Sequence, residues 1–325
     1  MKKLFLSLVA LIATTMSFAQ STLVATLSHG SNITMYYGTY ALRDAYNAAV
    51  SGDIINLSGG SFQAVDIKKA VTLRGVGIDN ANPTYIMSNF TIEIPSDDVN
   101  RFSMEGIQCA NYITMNGSFT NAYFLKCQIQ RVICQGSVKN TLFANCKVVN
   151  SYFDVDGTCT VQIINSLVSH FQVRDNAAAT VVNSIIIPMN NFEAHSIKNS
   201  QLINCIVFNN SRSYGKGLAS TTTATNCVSL GLEQTLACPL TNPSTCQNCS
   251  HAKMDEVLVD LTNYELTDVA KTKYLGNDGT EVGLYGGIMP YTSTPSYPQI
   301  TKMKVANKTT ADGKLSVEIE VSAAQ

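Results

Sequence analysis

Past its first forty or so residues the chain is a succession of short apolar runs broken by single Gly, Asn, Ser or Thr residues. One stretch departs from this rhythm. Leu42, Ala45, Tyr46 and Ala49 fall at i, i+3, i+4 and i+7, which predicts a helix over Ala41 to Val50, with Thr39 as N-cap and Gly52 as terminator. The rest reads as strands: Ile54 to Leu57, Val65 to Ile67, Val71 to Leu73 and many more at short intervals.

These runs repeat as units in which an apolar stretch meets a small polar corner and a second apolar stretch. The corners are Cys127, Cys146, Ser166, Ser184, Cys205 and Cys227, spaced 19, 20, 18, 21 and 22 residues apart. Five of the six follow an asparagine: Asn145, Asn165, Asn183, Asn204 and Asn226. A period near twenty with no internal helix excludes tetratricopeptide, ankyrin and propeller arrays, and the Leu pattern of leucine-rich repeats is missing. What remains is a chain wound into coils of three short strands, each stacked in parallel on its counterpart about 4.8 Å away. Asparagine suits the turn because it tolerates the left-handed conformation and its amide can bond along the stack, making a structural ladder. The small Cys or Ser then fills a tight corner.

These units resemble the right-handed parallel β-helix superfamily that includes pectate lyases and polygalacturonases. Residues 41–55 (ALRDAYNAAVSGDII) are similar to its capping helix and first strand, and Val71-Thr72-Leu73-Arg74-Gly75 to its second coil. The likeness runs from about residue 37 to 235 and is specific for fold, not for activity. It implies an all-β, right-handed parallel β-helix with an N-terminal capping helix that shields the open strand edges. The expected organisation is a leader over 1–19, the β-helix over 20–289, and a linker with a small C-terminal β-hairpin over 290–325. Pro290, Pro295 and Pro298 mark that linker, and alternation of Leu315, Val317, Ile319 and Val321 with polar residues marks the hairpin. An isolated two-stranded hairpin is marginal, so packing on the β-helix or on a second chain is expected.

The leader reading rests on Lys2 and Lys3, an apolar run from Leu4 to Ala13, and a small-residue site at Ser17, Phe18 and Ala19. It places the mature protein outside the cytoplasm: secreted, periplasmic or on the cell surface. No later run approaches the ~20 apolar residues of a membrane span. Charged residues make up only 14% of the chain and the formal net charge is −1, without the basic face that a nucleic acid requires.

The resemblance places candidate chemistry on the strand following the ladder turn, where related lyases hold Ca²⁺ with carboxylates and abstract a ring proton with Arg or Lys. Eight residues past the corner lie Gln135, Asp154, Arg174, Phe192 and Ser213. Asp154 and Arg174 would be stacked neighbours and are the catalytic candidates. Tyr152, Asp175, Glu193 and His195 are the substrate-binding candidates. The bland alternative is an exposed ion pair between coils. No cofactor is called for except Ca²⁺ under the lyase alternative, and no resident metal is expected. The polygalacturonase set of clustered Asp, Gly-His-Gly and Arg-Ile-Lys is missing, and Asp97-Asp98 reads as a solvated turn. With no Trp, sugar stacking falls to tyrosines such as Tyr123 and Tyr152.

Cys127, Cys146, Cys205 and Cys227 read as buried small corner residues, and Cys109 as a possible extension of that column. Cys238, Cys246, Cys249 and His251 read as a separate loop, holding either one disulfide with a leftover thiol or a tetrahedral Zn²⁺. The function expected is noncatalytic binding of a glycan or another macromolecule along the exposed strand face. A polysaccharide lyase for uronic-acid glycans and a structural or adhesive surface protein are the alternatives.

Overall fold

The structure is a computed structural model that describes residues 23–149, 151–188, 197–209, 218–231, 245–305, 308–310 and 312–322. The leader and Cys238 lie outside these residues. The chain forms a parallel β-solenoid of about 8 turns. One twelve-stranded sheet runs from the N-terminal hairpin through Ile54–Leu57, Ala122–Leu125 and Thr160–Ile164 to Cys246–Gln247. A second begins at Gly60–Phe62 and climbs through Gln128–Cys134 and Leu167–Val173 to Ser250–Lys253. Several strands of the second sheet bend at a bulge and continue as a third face, where Val132–Cys134, Phe153–Val155 and Phe171–Val173 stack in register.

Inward positions form vertical columns. Phe102, Phe124, Phe143, Phe153 and Phe171 are each at most 1% exposed and stack through the interior. Phe124 lies flat on Phe143 at 4.6 Å, while Phe143 meets Phe153 edge-on at 4.8 Å. Such contacts add about 0.5–1.5 kcal/mol each beyond area burial.

The corner column explains why Ser and Cys interchange. Ser166 Oγ donates to Ile164 O at 2.8 Å and accepts the Cys146 amide at 2.9 Å. Ser184 and Cys227 repeat the same two bonds with Val182 O and the Ser166 amide, and with Thr225 O and the Cys205 amide. Cys127, Cys146, Cys205 and Cys227 are fully buried free thiols. The column is longer than the sequence reading made it, because Asn248-Cys249 forms a further rung 22 residues after Cys227, in register through Val228↔Ser250. Cys246, Cys249 and His251 therefore belong to the last coil and not to a separate loop. Cys109 is two places off the column, since it pairs in register with Ile129; the coil it opens is longer than its 18-residue spacing to Cys127 implies.

All five ladder asparagines hold φ between 45° and 54°. A second column, at the corner leading back to the first sheet, is made of Gly117, Gly136 and Gly157. A Cβ on Gly157 would lie 2.3 Å from Gly136 O, so only glycine fits.

The N-terminal cap is richer than one helix. Val24–His29 and Asn32–Tyr37 form a hairpin that pairs antiparallel with Ile54–Leu57. The helix covers Ala41–Ala48, with Tyr40 and not Thr39 at the N-cap, and buries Ala41, Leu42, Ala45 and Tyr46. The backbone turn from Gly38, whose carbonyl accepts the Ala41 amide at 3.0 Å, takes the place of a side-chain cap.

After the last coil the chain turns back. Two short helices, Met254–Val257 and Asp268–Lys273, build a second apolar cluster in which Val257, Leu266, Ala270 and Leu284 cover the outward Leu167, Ile185, Ile206 and Val228. Residues 276–297 then run down the ladder corner toward the N-terminal end as a strap. Asn277 meets Asn204, Leu284 O and Gly286 O each accept from Asn165 Nδ2 at 2.8 Å, and Met289 O accepts from Asn145. Lower down, Lys126 donates to Thr294 O at 2.6 Å, Glu105 accepts the Ser296 amide, and the Tyr297 hydroxyl donates to Gly75 O. The ladder amides thus serve the strap as much as one another; direct amide contacts, at 3.5 Å, link only Asn183, Asn204 and Asn226. The stretch containing Pro290 and Pro295 is part of this strap.

The terminal hairpin pairs Gln299–Val305 with Val317–Ser322, and the latter strand is exposed throughout. The expected packing on the solenoid is not seen among the described residues.

Candidate functional site

The strap fills the ladder corner and the helical cluster covers the upper part of the second sheet; among the described residues nothing covers the corner between the second sheet and the third face at the level of Tyr112 to His170. There the residues just before the inward Ile113, Val132, Phe153 and Phe171 stack above one another: Tyr112, Arg131, Tyr152 and His170. Each is outward because its successor is buried in the core, which follows from strand alternation. The Arg131 guanidinium lies between two tyrosines, 5.5 Å from the Tyr112 ring and 5.2 Å from the Tyr152 ring. Tyr152 meets His170 edge-on at 5.5 Å. Both tyrosines remain more than a third exposed, at 38% and 39%. His170 sits at φ 49°, a conformation that turns the strand across the corner.

Beside this column is a shallow groove of about 200 Å³ lined by Tyr85, Gln108, Gln128, Gln130 and Val149. Three carboxamides, a phenol and an apolar floor give it both hydrogen-bonding and apolar character.

Asp154 and Arg174 do meet. Arg174 Nη2 is 2.8 Å from Asp154 Oδ2 and Nε is 3.0 Å from Oδ1, a bidentate pair, and Nε is also 3.5 Å from Asp156. The register is not the expected one. Asp154 aligns with Ile133 and Gln172, two places from Arg174, whose amide follows Val155 in the ladder. The count from the corner drifts because the Cys146 coil holds two more residues before its third strand than the coils on either side: seven positions separate Cys146 from Phe153, against five from Cys127 to Val132 and from Ser166 to Phe171.

The Asp154 hydrogen bond holds the Arg174 guanidinium above its ordinary value, with burial opposing and Asp156 adding to it. A proton-abstracting arginine needs the reverse shift. Asp154 and Asp156, the carboxylates available for Ca²⁺, both face this cation, so the cluster does not fit a Ca²⁺ site. The pair is half exposed on the arginine side and contributes about 0–1 kcal/mol.

Asp175 is exposed and pairs with Lys198 on the next coil. Glu193 and His195 lie outside the described residues. Tyr123 is on the first sheet, under Arg101 at 4.2 Å, away from the open corner. Of the sequence candidates, Tyr152 alone enters the aromatic column; Tyr112, Arg131 and His170 were missed. Their shared signal is an outward residue directly before a buried apolar one in each third strand, visible only once the two-residue insertion is allowed for.

Among the described residues no three His, Cys, Asp or Glu side chains are placed to hold a metal ion. Cys249 Sγ donates to Gln247 O within its own coil, and His251 Nδ1 is 3.3 Å from Ser229 Oγ on the coil before it, so each is engaged within the solenoid. The Cys249 thiol is pushed well up, first by its contact with Cys227 and then by burial, which disfavours the thiolate that zinc binds. No described helix is long and apolar enough to cross a membrane. No family model, curated protein or solved structure matches this chain.

Proposed function

We propose that the protein is a noncatalytic glycan-binding module of the exported type, and that it holds its ligand along the open corner of the solenoid. The observation that carries this is the column Tyr112, Arg131, Tyr152, His170, which lies beside a groove lined with Gln side chains on a face that no described residue of the strap or helices covers. Parallel coils repeat every ~4.8 Å, so polar groups recur at a fixed interval along an extended surface. A linear polymer with regularly spaced hydroxyls is the ligand class that such a surface addresses. Tyrosine and glutamine are suited to it because they offer donors, acceptors and apolar area without a full charge to desolvate.

The lyase alternative has less support, since Arg174 and Asp154 neutralise each other and the guanidinium is shifted away from the neutral form a base requires. The test is a glycan array probed with the wild type and with Tyr112→Ala and Tyr152→Ala. Binding that weakens at least tenfold in both variants supports the proposal. Binding unaffected by either variant places the ligand elsewhere and refutes it.

A further inference from the structure

The Tyr112, Arg131, Tyr152 stack contains a cation with no counter-charge among the described residues. Among the described residues Arg131 forms no ion pair, although Arg43 and Arg174 each face a carboxylate. Its Nε is buried and has no hydrogen-bond partner. Asp154, which aligns with Ile133 on the adjoining third strand, is engaged bidentately by Arg174. The rings of Tyr112 and Tyr152, on the coils below and above, flank the guanidinium at 5.5 and 5.2 Å.

With its Nε buried and a ring on either side, the arginine has its terminal Nη1–Nη2 edge left for a ligand. That edge matches a planar or tetrahedral oxyanion in bidentate fashion. Stacking also removes much of the entropy that an exposed arginine would lose on binding.

We propose that Arg131 is an oxyanion subsite, and that the glycan bound along this corner carries a sulfate ester or a carboxylate at the position facing it. The proposal rests on the glycan reading given above and adds the charge of the ligand to it. Neutral parts of the chain would lie against Tyr112, Tyr152 and the Gln108, Gln128 and Gln130 amides, with the anion at the guanidinium edge.

Dextran, dextran sulfate and carboxymethyl-dextran share one backbone and separate these possibilities. Binding is measured by calorimetry or affinity electrophoresis for the wild type, Arg131→Gln and Arg131→Lys, and a circular dichroism melt checks that each variant is folded. A charge-assisted bond is worth about 1.5–3 kcal/mol, or roughly a ten- to hundredfold change in affinity. The expected result is that one or both charged dextrans bind the wild type at least tenfold more tightly than dextran. Arg131→Gln should abolish that gain, and Arg131→Lys should restore part of it. Which derivative gains identifies sulfate or carboxylate as the anion.

The proposal is overturned if neither charged derivative exceeds dextran, or if the gain persists in Arg131→Gln. Failure of this kind leaves neutral glycan binding at the tyrosines intact. Loss of the broader function would instead show as array binding indifferent to Tyr112→Ala and Tyr152→Ala.

Discussion

Replacing Asn165 tests how the strap is held. Its side chain is buried at 1% exposure, its backbone is left-handed at φ 45°, and its Nδ2 donates to two strap carbonyls, Leu284 O and Gly286 O, at 2.8 Å each. Asn165→Ala removes both donors and places a β-carbon in the left-handed region. Leaving a buried acceptor without its partner costs about 1–3 kcal/mol. Two such carbonyls, partly relieved by water once the strap lifts, come to about 2–4 kcal/mol, and the left-handed alanine adds about 1 kcal/mol. Asn165→Gly loses the same donors but accepts the backbone angle, so it should recover only that last part. Urea unfolding followed by circular dichroism gives the totals, and hydrogen exchange locates them. The amides of Val282, Gly283 and Tyr291, which bond to Tyr274 O, Asn204 O and Leu284 O, should exchange faster in both variants, while those of the inner strands stay protected. A loss below about 1 kcal/mol in Asn165→Ala, or an Asn165→Gly protein as stable as wild type, would refute a ladder that works by holding the strap.

Further outcomes follow from other parts of the solenoid. Phe143→Ala opens a void in the middle of the interior phenylalanine column and should cost about 3–5 kcal/mol by urea unfolding. Asp154→Ala should change stability by under about 1 kcal/mol, because its partner is half exposed; a larger loss would mean that the ion cluster fastens the coils together. Partial burial pushes the Asp98 carboxyl up, but hydrogen bonds from Ser51 Oγ and from the Asn100 and Ala70 amides outweigh it and leave it below the usual carboxylate range. A carboxyl depressed in the folded state stabilises at pH values above its unfolded pKa of about 4 and ceases to do so as pH falls through the folded value. The stability advantage of wild type over Asp98→Asn should therefore be full near neutral pH and shrink below about pH 4; an advantage that does not change with pH would contradict it.

The coil architecture was legible because its cause is local. Each Asn before a Cys or Ser marks a left-handed turn, and the apolar runs on either side mark the strands that enter and leave it. Asn248-Cys249 carried the same signal, but the Pro- and Thr-rich segment before it disguised the last coil as a loop. The glycine column at Gly117, Gly136 and Gly157 was equally visible in the sequence, at spacings of 19 and 21, and would have fixed the second corner. The strap was not legible in the same way. Nothing near Leu284 or Gly286 indicates that their carbonyls face Asn165, since that contact spans 119 to 121 residues and depends on the direction in which the tail leaves the last coil. The open corner was half legible. Tyr152 was found as an exposed aromatic, whereas Arg131 gains meaning only from rings on the coils below and above it, and the two-residue insertion after Cys146 hides that alignment. The cap hairpin escaped because it pairs antiparallel with the first coil, whereas the coils pair with one another in parallel.

On the proposed function the open corner binds a glycan and leaves it intact. This is tested by incubating the protein with a panel of neutral and acidic polysaccharides in the presence of Ca²⁺, while following bound ligand, chain length and the ultraviolet absorbance of unsaturated ends. At least one polysaccharide should be retained at unchanged length with no rise in absorbance, and retention should be lost in Tyr152→Ala. New unsaturated ends that vanish in Asp154→Ala and Arg174→Ala would contradict it and make the ion pair a catalytic site.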